Sequence, residues 1–301
     1  MRLILNGKKA QLPNIRQAIE TIRSEGTQLD VRVTYEYGDV HRFVHEAVTE
    51  KVTRLIIGGG DGTLNEMVDA LSTITPQDRP ELAILPLGTA NDFATACHLP
   101  LDPYEALVLA TRGDSHPIDI VKSNERHFIN IATAGFGAAI TANTPPELKH
   151  FLGGGAYTIT GVLQAMNFIP YRGRMWTEEI ELDGESVLAA VCNGRQAGGG
   201  QILAPQAYID DALLDVIFIK AFTLLDIPKV LLELSELNGE GTFVHYFQTP
   251  WLECETEEAM PINLDGEPYS RRHIRFEVIP KAISLVLPIT TPLLRYSERS
   301  G

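Results

Sequence analysis

The chain is poor in cysteine, poor in positive charge, and has no long uncharged apolar run. Its three cysteines, Cys97, Cys192 and Cys254, are odd in number and widely spaced. That excludes a disulfide framework or a cysteine metal cluster and reads as the reduced thiols of a cytoplasmic protein. Lysine and arginine number 25 against 39 acidic residues, a net charge of −14. Such a balance argues against a nucleic-acid partner and against lasting attachment to an anionic membrane face, so any membrane contact is expected to be transient and local. No stretch approaches the apolar length that spans a bilayer. Arg2 to Leu5 already reads as a strand, which leaves no room for a signal peptide ahead of it. Gly-x-Ser-x-Gly is absent, so serine hydrolase chemistry has no support. His41 and His45 stand four apart without a third ligand nearby and read as a solvated helix face. No internal repeat and no low-complexity segment is seen.

What is present begins with glycine. Residues 58–66 read Gly-Gly-Gly-Asp-Gly-Thr-Leu-Asn-Glu, directly after the apolar run Leu55-Ile56-Ile57. Glycines so dense remove side chains where a backbone must come close to something. A strand before the loop and a helix over Leu64–Leu71 after it would aim amide N–H groups and a positive helix end at one point. This is an anion site, most often a phosphate site. The common phosphate loops do not fit. G-x-x-x-x-G-K-[ST] needs a lysine, and none lies between Lys51 and Lys122; G-x-G-x-x-G needs glycine where Thr63 stands. Asp61 fits either a cap of the turn or a Mg²⁺ ligand.

The first 120 residues alternate strand and helix. Arg2–Leu5 is a strand. Ile15, Ala18, Ile19 and Ile22 sit at helical spacing, with Gly26 as the stop. Val31, Val33 and Thr34 form a strand, and Asp39 caps a helix carrying Phe43, Val44, Ala47 and Val48. This βαβαβ pattern implies a parallel sheet with helices on both faces. Near Val121 the character changes. Helices are expected over Pro145–Leu152, Ala156–Phe168 and Leu224–Leu237. Strands are expected over His127–Thr133, Trp176–Leu182, Val187–Cys192, Leu214–Ile219, Ile274–Ile279 and Ile283–Leu287. Asp183-Gly184 and Asp265-Gly266 read as hairpin turns. The fold expected is an α/β N-terminal domain, 1–121, and a mainly antiparallel-β second domain, 122–288. The glycine runs Gly153–Gly155 and Gly198–Gly200 suit either a moving lid or plain flexible loops.

A second strand, Leu82–Leu87, runs into Gly88-Thr89-Ala90-Asn91-Asp92-Phe93-Ala94. The ends of neighbouring parallel strands lie side by side, so the two loops can face one ligand. Thr34 lies on the same rim, as either a β-favouring strand residue or a ligand contact. Glu267, between the Asp265-Gly266 turn and Pro268, is either an exposed hairpin glutamate or a general base on a stiff turn.

The segments GGGDGTLNE and LPLGTANDFA together resemble the diacylglycerol kinase catalytic-domain family, and within it the YegS-like bacterial lipid kinases. The resemblance continues through Asn193-Gly194-Arg195-Gln196-Ala197-Gly198-Gly199-Gly200 and Asn263-Leu264-Asp265-Gly266-Glu267-Pro268. The first loop alone is shared with NAD kinases and phosphofructokinases; the second separates the lipid kinases from them. The resemblance implies a first domain of the phosphofructokinase and NAD kinase kind, with residues 289–301 returning to it. It also implies ATP as co-substrate, contacted by Thr34, Gly60, Asp61, Gly62, Thr63, Leu64, Asn65, Glu66 and Thr89. Glu267 would then be the catalytic base, and Mg²⁺ would be held by Asp211 and the backbone carbonyls of Tyr208 and Leu213. The family pattern usually has glycine after that aspartate; here Ala212 stands there, and a glycine-only backbone angle would be strained by alanine. The implied partner is a glycerolipid taken from a membrane surface. Apolar segments such as Ala156–Phe168, with Tyr157, Ile159, Leu163, Met166 and Phe168, read either as the lining of an acyl-chain groove or as buried core.

Overall fold

The computed structural model describes residues 1–135, 170–237, 239 and 241–295. The expected helices over Pro145–Leu152 and Ala156–Phe168, the Gly153–Gly155 run and the tail from Tyr296 lie outside these residues. The chain divides into two compact units. The first takes Met1–Ile120, Ile209–Asp211 and residues from Ile279 onward; the second takes Val121–Tyr208 and Ala212–Val278. The first unit therefore draws on two later segments, one of them beginning well before 289.

In the first unit the order is β1 (Arg2–Asn6), α1 (Pro13–Ser24), β2 (Asp30–Thr34), α2 (Asp39–Thr49), β3 (Arg54–Gly59), α3 (Asp61–Ser72), β4 (Glu81–Pro86), α4 (Asp92–Ala96) and α5 (Pro103–Arg112). The sheet runs β4-β3-β1-β2 with every pairing parallel. All four C-terminal strand ends therefore share one rim. Alternation sends Leu3, Leu5, Ile56, Ala83 and Leu85 into one core layer with Ile15, Ala18, Ile19 and Ile22 of α1 and Ala106 and Leu107 of α5. On α2 and α3, Phe43, Val44, Ala47, Leu64, Met67, Val68 and Leu71 are buried. Proline in the first turn of α1 and α5 suits positions whose N–H would find no acceptor within the helix.

Asp39 does not cap α2 as expected. Gly38, left-handed at φ 87°, holds the cap position, and the Asp39 carboxylate turns back to accept from Tyr35 N (2.7 Å) and Glu36 N (3.1 Å). The α3 helix also starts earlier than Leu64, at Asp61, so Gly58 and Gly59 end β3, Gly60 is the cap position and Asp61-Gly62-Thr63 open the helix.

A further strand, β5 (Ser115–Ser123), carries the chain into the second unit. There follow β6 (Arg126–Phe128), β7 (Ile131–Gly135), β8 (Tyr171–Trp176), β9 (Glu181–Cys192), the short β10 (Gln196–Ala197) and β11 (Gln201–Ile202), β12 (Leu214–Lys220), α6 (Ile227–Glu236), β13 (Val244–Thr249), β14 (Trp251–Leu264) and β15 (Glu267–Val286). Strands β13-β12-β9-β7-β14-β15 lie in that order and pair antiparallel. One side of this sheet buries Ala132, Val191, Val216, Phe218, Ile262 and Leu264. The other buries Ile131, Ala190, Cys192, Ile217 and Ile219 with Val230 of α6. All three cysteines are free and buried, and burial pushes each thiol up, Cys254 to about 12.

Three strand expectations change here. The run Trp176–Leu182 is split by a turn, because Thr177 Oγ1 accepts from Glu179 N and Ile180 N and closes the chain on itself. Asp183-Gly184 is consequently not a hairpin; it lies inside β9, where Gly184 pairs with Gly173. His127–Thr133 is broken between Phe128 and Ile131, and Ile274–Ile279 with Ile283–Leu287 form one long strand. The Asp265-Gly266 hairpin is present, both residues at positive φ (49° and 97°) as a type I′ turn requires.

Candidate active site

On the rim of the first unit the two glycine loops touch through their backbones. A Cβ on Gly60 would sit 2.9 Å from Gly88 Cα, and one on Gly88 would sit 2.6 Å from Gly60 Cα and 2.7 Å from Asn91 Oδ1. Gly60 has φ −98°, so close approach and not a left-handed angle demands glycine there. Asn91 fixes the second loop by accepting from Gly88 N (2.7 Å) and donating to Gly88 O (3.1 Å). Thr89 is exposed beside it.

Asp61, the first residue of α3, spans the two loops. Its Oδ1 accepts from Phe93 N (3.4 Å) at the start of α4. Burial raises its pKa first, and the neighbouring Asp92 charge adds to that, while the amides of Phe93 and Asp92 oppose the rise. A carboxylate so placed ties loop to loop. Leu64 is buried, and Thr63 and Glu66 are half-buried, on the turns that follow. Asn65 Oδ1 is buried with no hydrogen-bond partner among the described residues, a condition that calls for a donor.

Thr34, at the end of β2, pairs with Asn6 at the end of β1. Its hydroxyl accepts from Gly7 N (3.3 Å), and Asn6 Nδ2 donates to Thr63 Oγ1 (3.2 Å). Polar contacts thus run from Thr34 through Asn6 to the first turn of α3. Sequence reading missed Asn6 and also the lysines that follow it. Lys8 N donates to Asn6 Oδ1 (3.0 Å) and Lys9 N to Asn6 O (2.8 Å), which folds both residues at the end of β1. The glycine loop lacks a lysine in sequence, yet the adjacent strand brings two to the same rim. The signal was there: Asn-Gly at the end of the first strand of a parallel sheet. The α3 amino end, twelve residues of aligned peptide dipoles, adds partial positive charge. This rim can hold a polyphosphate.

Glu267 belongs to the second unit, exposed at the first position of β15. What rigidifies it is Asp265 more than Pro268. The Asp265 carboxylate accepts from three successive amides, Ile129 N (2.9 Å), Asn130 N (3.2 Å to each oxygen) and Ile131 N (2.8 Å). Asn263 Oδ1 takes Gly266 N (2.7 Å). Asn130 then reaches the other motif: Nδ2 donates to Gln196 O (2.9 Å), and its carbonyl accepts from Asn193 N and Gly194 N. A Cβ on Gly194 would lie 2.2 Å from Asn130 Oδ1. The hairpin, the break at Asn130 and Asn193–Gln196 are one hydrogen-bonded assembly. An asparagine inside an apolar strand run was the available signal.

Asp211 lies in the bends at 209–212, with Tyr208 just before them and Leu213 just after; Ile209–Asp211 belong to the first unit and the flanking residues to the second. Arg195 Nε donates to Ala207 O (2.8 Å), and its guanidinium lies 5.1 Å from the Tyr208 ring centroid. Ala212 has φ 61°, the left-handed shape that glycine adopts at less cost. The turn shape is thus kept with alanine in it. One carboxylate with two carbonyl oxygens is a donor set that suits a hard cation. Among the described residues no group of three or more His, Cys, Asp or Glu side chains is placed to hold a metal. His41 instead faces Asp69 and His45 faces Thr73.

Comparison with known proteins identifies the family of the chain. Residues 1–123 match the diacylglycerol kinase catalytic domain, and residues 130–287 match the YegS C-terminal NAD kinase beta sandwich-like domain. A protein of Shewanella frigidimarina named "Probable lipid kinase YegS-like" is 51% identical over 100% of this chain and 98% of its own. One of Chromohalobacter salexigens with the same name is 48% identical over 98% of this chain and 95% of its own. The crystal structure of a diacylglycerol kinase from Bacillus anthracis str. Sterne shares the fold at TM-score 0.73 and 24% identity, over 95% of this chain and 96% of that one. Another structure from the same organism matches at TM-score 0.77 and 27% identity, over 95% and 97%. Matched over its whole length in sequence, and in both domains, the chain belongs to the diacylglycerol kinase catalytic-domain family, in its YegS-like branch.

Proposed function

We propose that this protein is an ATP-dependent, Mg²⁺-requiring lipid kinase. It moves the γ-phosphate of ATP to a hydroxyl of a glycerolipid of the phosphatidylglycerol or diacylglycerol type. The observation that carries the reading is the Gly60–Gly88 backbone contact at the mouth of α3, on a rim that also holds Asn6 and Thr34. Thr34, Gly60 to Glu66 and Thr89 hold the nucleotide. Glu267 takes the proton of the lipid hydroxyl as its oxygen bonds to the γ-phosphorus. The bond to the β,γ-bridging oxygen breaks, and ADP leaves with that electron pair. Catalysis of this kind is mostly positioning and charge neutralisation. Asp211 and the carbonyls of Tyr208 and Leu213 would hold Mg²⁺, which when bound neutralises phosphate charge. No helix among the described residues is long and apolar enough to cross a membrane. On this reading the lipid is taken from a bilayer surface by transient contact at the cytoplasmic face.

Radiolabelled ATP, lipids in mixed micelles and thin-layer separation test this. A labelled phospholipid is expected, and Glu267→Gln should lower its formation about 10²–10⁴-fold while leaving ATP affinity intact. Turnover within a few-fold of wild type would place the base elsewhere. Label found only in a phosphorylated NAD⁺ would make the protein an NAD kinase instead.

A further inference from the structure

We propose that Tyr35 and Tyr37 form the platform that holds the purine base of the nucleotide; this rests on the kinase reading above. The two rings are 96% and 97% exposed, an unusual cost for side chains whose large apolar bodies normally pack. They are not on a loose tip. Asp39 accepts from Tyr35 N and Glu36 N, and Arg42 donates to Asp39 Oδ1 (2.6 Å) while lying 4.3 Å from the Phe43 ring centroid. The amide of Tyr35, then Arg42 and the amide of Glu36, hold the Asp39 carboxyl down to about 2, so this anchor is ionised at neutral pH. An anchored loop that presents two bare aromatic rings is built for a flat partner.

Its position fits the length of a nucleotide. Strand β2 is the edge of the parallel sheet, and β1 separates it from β3. Neighbouring strands lie about 4.8 Å apart, so the end of β2 stands roughly 10 Å along the rim from Gly60. The diphosphate and ribose of an extended nucleotide cover that reach. Between the two ends lie the Thr34 hydroxyl, Gly7 N and Asn6, already linked to Thr63. Phosphates at Gly60 and sugar over Asn6 and Thr34 deliver the base to the residues just after Thr34. Every nucleobase has a π-face, so stacking holds without reading base edges. The platform therefore accepts guanine nearly as well as adenine.

Calorimetry with Mg²⁺ and either ATP or inorganic tripolyphosphate tests this on wild type, Tyr35→Ala, Tyr37→Ala, the double variant and Tyr35→Phe. The exposed positions make misfolding no obstacle. Removing a stacking ring should weaken ATP about tenfold or more, leave tripolyphosphate unchanged, and be rescued in Tyr35→Phe. Equal losses for ATP and tripolyphosphate would mean the loop only shapes the phosphate site, and would overturn the platform. Unchanged ATP affinity in the double variant would overturn it too while the kinase reading stands. So would reduced binding to lipid vesicles with ATP affinity intact, which would make the rings a membrane contact. A wild-type protein that binds neither ATP nor tripolyphosphate would overturn both readings.

Discussion

Truncating Asp265 to alanine should cost both stability and turnover, although Asp265 is not itself the proposed base. Its carboxylate is the partner of the amides of Ile129, Asn130 and Ile131. Those residues are 1%, 6% and 3% exposed, so water cannot readily replace the carboxylate. A buried donor left without a partner costs about 1–3 kcal/mol. Three of them, partly relaxed, give about 3–5 kcal/mol, a large part of the roughly 5–15 kcal/mol that a folded protein has in hand. Asp265→Asn keeps one acceptor oxygen but turns an NH₂ group towards N–H donors, so it should fall between wild type and alanine. The catalytic effect should exceed the loss of folded protein, because the same carboxylate fixes the hairpin that carries Glu267. A misplacement near 1 Å can cost about 10²-fold in rate. Urea unfolding gives the stability term, and turnover per folded molecule gives the second. Asp265→Ala within about 0.5 kcal/mol of wild type, the usual scatter for surface changes, would refute the clamp. A stable loss without any change in turnover would refute the coupling to Glu267.

Asp61→Asn should stabilise the ligand-free protein at neutral pH while reducing ATP turnover. The folded pKa of Asp61 is raised, so its charge weighs against the fold above that pKa, and the gain from Asn should shrink as pH falls towards the ordinary 3.8. Melting temperatures of the two proteins across pH would show a constant difference if this is mistaken. Gly88→Ala should lose about 1–3 kcal/mol and weaken ATP binding, since its Cβ meets Gly60 backbone that cannot step aside cheaply; unchanged melting and ATP affinity would deny the loop contact. Asp211→Asn should raise the Mg²⁺ requirement more than the ATP requirement. Superimposable Mg²⁺ titrations for mutant and wild type would show that Asp211 holds no metal.

Much of this protein is legible in its sequence because the signals are local. The spacing of Ile15, Ala18, Ile19 and Ile22 marks the buried face of α1, and those four residues are the ones buried. Glycine after Ile57 and after Leu87 marks two strand-to-helix turns, because few other residues let a backbone approach so closely. Asp265-Gly266 marks a hairpin because it supplies two positive φ angles in succession. The same dipeptide at Asp183-Gly184 misled, since Thr177 closes the turn earlier and β8 pairs with β9 straight through Gly184. Turn chemistry proposes a hairpin; cross-strand pairing over many residues decides which one forms. Tertiary structure alone settled what the glycines approach, namely Gly60 against Gly88. It alone showed that Asp265 serves amides more than 130 positions away in sequence. It also brought Lys8 and Lys9 to the rim of a loop that has no lysine of its own, because parallel pairing of β1 with β3 aligns chain ends that the sequence holds far apart.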